Sequence, residues 1–178
     1  LNNYDAASIT NLVKSLGIAK GSVYQYFNDK ADLYTYLVQE ATSRLNNLLD
    51  STCSYNNEEF YDWYLKLLIV EVKFLLSFPA YAVILVEMSH GVHELDRRLE
   101  INFFTQKKSR INRALPVELY NSTINSHLLI HSPFLVYEMI STKIDIVDCI
   151  KSNKSVSIDS KTLISSCTDW VAKLKNGL

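Results

Sequence analysis

Residues 8–30, SITNLVKSLGIAKGSVYQYFNDK, leave the backbone few options. Ser8 is a good N-cap, and Ile9, Leu12, Val13 and Leu16 recur at the spacing of one helix face. Gly17 follows where a helix ends in a left-handed residue, a conformation glycine adopts without steric cost. Val23 and Phe27, four apart, then predict the buried side of a second helix over residues 20–27. Lys20, Ser22, Tyr24 and Gln25 fall mostly on its other side. A helix-turn-helix needs this division, with one side docked on a partner helix and short or polar residues free to enter a major groove. Helix, glycine and helix alone would equally describe any corner of an all-helical protein.

The run GIAKGSVYQYFNDKADLY is more specific. It resembles the DNA-binding domain of the TetR/AcrR family of bacterial transcriptional regulators, with Gly17, Ile18, Lys20, Gly21, Ser22, Val23, Tyr24, Tyr26, Phe27, Lys30 and Leu33 in the family's places. Upstream, Tyr4, Ala7, Ser8 and Ile9 fall in a segment that looks like the family's opening Gly-Tyr-x-x-Thr/Ser-x-Ile. The resemblance covers about fifty residues, and the remaining 128 carry no motif to match. It implies a DNA-contacting set of Ser8, Lys20, Gly21, Ser22, Tyr24, Gln25, Tyr26 and Lys30. Gly21 would let backbone N–H groups approach a phosphate, while Lys20 and Ser22 donate to phosphates or base edges. Tyr24 would place its hydroxyl on a phosphate or its ring on a thymine methyl, and the Gln25 amide suits adenine. Tyr26 is expected to pack under the helix, and Lys30 to anchor the DNA backbone. Ala19 departs from the family, which prefers Ser or Thr as the cap at that place; the lost acceptor costs about 1 kcal/mol.

Charge complicates this reading. The chain carries a net −1, and residues 1–50 set Lys14, Lys20, Lys30 and Arg44 against Asp5, Asp29, Asp32, Glu40 and Asp50, again 4 − 5 = −1. Phosphate neutralisation supplies most non-specific affinity, so a lone unit of this charge should bind weakly. The chain opens without Met at what resembles the end of the family's first helix, and a helix of that kind often carries basic residues. A helical interaction protein or a small-molecule binder that has lost specific DNA binding is the competing class.

Elsewhere the chain reads as helix. It is 48% hydrophobic with only four glycines and three prolines, which favours long helices over a turn-rich sheet protein. Asp29 and Asp32 resemble a capping box opening a helix to about residue 50, with Leu33, Leu37, Ala41, Leu45 and Leu48 as its stripe. A helix that starts beside DNA and ends in a second unit makes a lever. A polar loop at 51–57 precedes an apolar helix over 58–78, ended by Pro79, and another over 80–90. Glu71 lies on an apolar face and needs a partner, a paired structural charge being preferred to a ligand-facing one. Residues 94–114 form a helix bearing Arg97, Arg98, Lys107, Lys108, Arg110 and Arg113, read as a solvated face. Helical sequence runs on from Pro116 towards residue 151, and a last helix spans about 160–175.

The enzyme hypothesis has nothing to stand on: no phosphate-cradling glycine loop or Ser/His/Asp arrangement appears, and no catalytic residue is assigned. His127 and His131, four apart, have no carboxylate or thiolate neighbour to complete a metal site, so no metal or cofactor is expected. Cys53, Cys149 and Cys167 are odd in number and widely spaced, as free thiols in a reducing compartment would be. The longest apolar run, residues 80–86, is far too short to span a bilayer, and the expected location is cytoplasmic, without membrane contact.

The expectation is therefore an all-α protein in two domains. Residues 1–50 form a helix-turn-helix domain lacking its first helix, and residues 51–178 a helical regulatory and dimerisation bundle. The resemblance implies a homodimeric repressor on a near-palindromic double-stranded DNA operator, released by a small apolar effector. Tyr64, Glu71, Met88, Phe103, Phe104, His127 and His131 are candidates for the effector pocket. Phe134, Tyr137, Trp170 and Val171 are candidates for the dimer interface.

Overall fold

The computed structural model describes residues 8–56, 58–89, 94–117 and 160–176. Seven helices stand out among them, with no strand: α1 (Ile9–Leu16), α2 (Lys20–Tyr24), α3 (Lys30–Thr52), α4 (Phe60–Ser77), α5 (Pro79–Ser89), α6 (Glu94–Ala114) and α7 (Ser160–Lys175).

The first turn is made as glycine chemistry requires. Gly17 has φ +66°; its N–H donates to Lys14 O at 3.3 Å, and Ile18 N–H reaches back to Val13 O at 3.1 Å. These paired bonds form a Schellman motif, which satisfies the last carbonyls of α1. Ser8 is the N-cap residue in extended conformation, but its side chain makes no capping bond. Ile9, Val13 and Val23 form a small buried cluster, closed by Phe27 and Leu33. Leu12 and Leu16 do not share that face: they are 39% and 59% exposed.

The second helix is shorter than its apolar spacing predicts. It ends at Tyr24, after which Tyr26 N–H and Phe27 N–H both donate to Val23 O at 3.0 Å. The chain tightens over a single carbonyl and leaves the helical path. Asn28 and Asp29 then build the start of α3. Asp29 Oδ1 accepts from Asp32 N–H at 2.8 Å, and Asp32 Oδ2 accepts from Asn28 N–H at 3.0 Å. The expected capping box is present, its return bond landing one residue upstream of the cap.

From there α3 runs about 34 Å at 1.5 Å per residue. Its N-terminal turn supplies Leu33 to the small cluster, and Val38, Ala41, Leu45 and Leu49 enter a second, larger core. That core gathers Trp63, Tyr64, Leu67 and Leu68 of α4, Leu85 and Met88 of α5, Phe103 and Ile111 of α6, and Leu163, Cys167, Val171 and Leu174 of α7. The polar loop expected at 51–57 is pinned at its start, because Cys53 is buried and its carbonyl accepts from Trp63 Nε1 at 2.7 Å. Pro79 opens α5 at the first helical position, where its missing N–H is no loss. The two helices meet there at 116°, braced by Phe74 stacked on Tyr81 at 6.1 Å. Among the described residues no single helix is long and apolar enough to cross a membrane.

Candidate nucleic-acid interface

The small cluster dictates which side of α2 is left outside. Val23 is buried at 9% exposure and Phe27 packs beside it, so Lys20, Gly21, Ser22, Tyr24 and Gln25 are all exposed. The Lys20 ammonium lies 5.7 Å from the centre of the Tyr24 ring, one turn on, and Tyr24 is itself 46% exposed. A methyl group added at Gly21 would meet nothing within 4 Å. No neighbour in the chain therefore requires a glycine there, and its bare backbone faces outward.

Two further aromatics widen this surface. Tyr26 does not pack beneath the helix as expected; at 79% exposure it projects outward, because the turn at Val23 has already carried it off the helical path. Tyr36, missed in the sequence, is 51% exposed with its ring 5.4 Å from that of Phe27. The signal was its place one turn beyond Leu33, which ties α3 to the small cluster. Ser8 is exposed and Lys30 half-buried at the head of α3. Ala19 caps α2 with no side-chain bond, as its methyl group dictates.

The effector candidates fall in the large core. Tyr64, Glu71 and Met88 are fully buried, Phe103 is nearly so and Phe104 is half-buried. Glu71 has the partner its position demanded, the Lys107 ammonium, itself buried and 4.9 Å from the centre of the Phe103 ring. Lys107 thus leaves the basic face expected of α6 and becomes a core residue. Burial holds its ammonium below the ordinary lysine range, against the opposing pull of Glu71. Burial, then Glu71 and Cys167, push the Tyr64 hydroxyl well up, and burial followed by Glu71 raises the Cys167 thiol to about 11. Tyr64 also stacks on Phe60, with centroids 5.9 Å apart. His127 and His131 lie outside the described residues.

Of the interface candidates, Phe134 and Tyr137 also lie outside the described residues. Val171 points into its own chain's core at 5% exposure, so its side chain is already committed; helical spacing gives it the face of Leu163, Cys167 and Leu174. Trp170 beside it is half-buried, and its Nε1 is closed from solvent without an acceptor among the described residues.

A supporting helix, a left-handed glycine and a second helix that buries one valine and exposes everything polar define a helix-turn-helix, the class of unit that reads DNA. Residues 1–37 match the family of bacterial regulatory proteins, tetR family, a span that takes in α1, α2 and the first two turns of α3. Over that segment the chain is similar to this family, and the match supports a DNA-binding transcriptional regulator. No match is found among the curated proteins.

Proposed function

We propose that the protein is a homodimeric, ligand-responsive repressor that places two α2 helices in successive major grooves of a near-palindromic operator. On this reading residues 1–50 form the DNA-reading domain and the rest of the chain the regulatory and dimerising one. The observation that carries it is the exposed set Ser22, Tyr24 and Gln25 presented over a buried Val23. The half-sites would lie about 34–36 Å apart, one helical turn of duplex. Gln25 has the bidentate amide that reads adenine, while Lys20 and Lys30 neutralise phosphates. An effector lodged in the bundle favours release only as far as it binds the non-DNA-binding state more tightly. Met88, Phe103 and Phe104 would give its site an apolar lining, and Tyr64 and Glu71 the polar groups such a site holds.

A second reading, a helical interaction protein that no longer reads DNA, is favoured by one observation: the N-cap of α2 is Ala19, which makes no side-chain capping bond. Selection of bound sequences from random DNA by the full chain decides between them. A recovered inverted repeat whose binding is lost in Lys30→Ala and Tyr24→Ala supports the regulator; recovery of no sequence leaves the interaction protein.

A further inference from the structure

The end of α3 remote from α2 is held by a ladder of polar contacts from α6. Arg110 Nη2 and Nε donate to Asp50 Oδ1 at 2.7 and 3.2 Å, and both of its terminal nitrogens reach Asn46 Oδ1 at 3.3 Å. One turn earlier on both helices, Asn46 Nδ2 donates to Gln106 Oε1 at 2.6 Å. The Arg110 side chain is only 11% exposed, although its partner Asp50 is 64% exposed, so the guanidinium lies folded between the two helices. A planar fork with five donors resists both rotation and tilt in a way that a flexible ammonium does not. Asn46 and Asp50 are one turn apart, so α3 is gripped at two levels about 6 Å apart along its axis.

The other end of α3 has a different tie. There, Leu33 packs on the small cluster that carries α2, and the arm from Asn46 down to Lys30 spans about 24 Å. A tilt of about 5° at the gripped end moves the far end by about 2 Å. In a two-fold dimer the separation of the recognition helices changes by roughly twice that, about one base-pair step of 3.4 Å.

We infer that Arg110 and Gln106 are positioning residues for DNA binding: through Asn46 and Asp50 they fix the angle of α3 and thereby select the spacing between operator half-sites. This rests on the homodimeric reading proposed above. The residues touch no DNA; they act through the helix that carries the reading unit.

The test uses the full chain and the inverted repeat it selects from random DNA, rebuilt with the half-sites one or two base pairs closer or further apart. The wild type should prefer one spacing by about tenfold over its neighbours. Arg110→Ala should reduce that preference about threefold or more, while binding to a single half-site stays within about twofold. Arg110→Lys, which keeps the charge but loses the fork, should resemble Arg110→Ala. Exchanging the partners, Asp50→Arg with Arg110→Asp, should restore part of the preference. A spacing profile for Arg110→Ala that superimposes on the wild type, or an equal loss at every spacing and at the single half-site, overturns the inference. A wild-type chain that selects no sequence overturns the regulator reading, and this inference with it.

Discussion

Replacing Lys107 by methionine should be among the most damaging single changes in the bundle. Its ammonium is 2% exposed and is the partner of Glu71, which is fully buried. Methionine fills similar volume, so the loss is the charge and not the packing. Removing one partner of a buried pair takes away much of the compensation the other charge has in a low-dielectric core, at a cost of about 3–5 kcal/mol. For a domain of this size each kcal/mol lowers the melting temperature by about 2–4 °C, so the variant should melt roughly 6–20 °C below the wild type. The double variant Lys107→Met/Glu71→Leu removes both charges and should recover most of this loss, since apolar replacement of a buried pair is often neutral or stabilising. Urea titrations at pH 7 and one fixed protein concentration give the coupling between the two positions directly. If Lys107→Met lies within about 1 kcal/mol of the wild type, or the double variant is no better than the single, the pair does not hold the core as argued.

Gly17→Ala should destabilise the α1–α2 unit by about 1–2 kcal/mol, because φ +66° is strained for any residue with a Cβ; circular dichroism melts measure it. Tyr26→Ala should leave stability within about 0.5 kcal/mol, given 79% exposure, yet weaken binding to the selected operator in a fluorescence anisotropy titration. The raised Cys167 thiol gives a stability contribution that is present below about pH 9 and lost as pH rises towards about 11, because the unfolded chain releases that proton first. Thermal melts between pH 8 and 10.5 should therefore fall less steeply for Cys167→Ala than for the wild type.

Features set by neighbours in the chain were legible in the sequence. Gly17, the Asp29/Asp32 box and the break at Pro79 each depend on a residue's own backbone limits or on partners within three or four positions. Longer-range pairings were not. Lys107 and Glu71 are 36 positions apart on different helices, so helical spacing placed Lys107 in a basic tract and only the fold took it inside. Spacing likewise put Leu12 and Leu16 on the face of Ile9 and Val13, but periodicity does not say how wide a buried face is. Tyr26 went astray for another reason: it was assigned a helical direction beyond the point where both Tyr26 and Phe27 bond to Val23 O.

The adverse charge of residues 1–50 looks different once its members are placed. Glu40 is bonded to Arg44 at 2.5 Å, and Asp50 to Arg110, which comes from outside the segment. Both anions lie along the bundle end of α3, beyond Tyr36. Residues 1–36 carry Lys14, Lys20 and Lys30 against Asp5, Asp29 and Asp32, a sum of 3 − 3 = 0 where the whole segment gave −1. Asp29 and Asp32 are occupied by N–H groups at the start of α3: Asp29 accepts from Asp32, and Asp32 from Asn28. The segment that would face a duplex is therefore neutral in sum, with two of its three aspartates engaged by backbone N–H groups. Such a surface neutralises few phosphates, and the logarithm of affinity should fall by only a few units per decade of salt, by about one unit less in Lys30→Ala. A salt slope near zero for the selected operator would mean that the lysines do not meet phosphates, whatever the bases contribute.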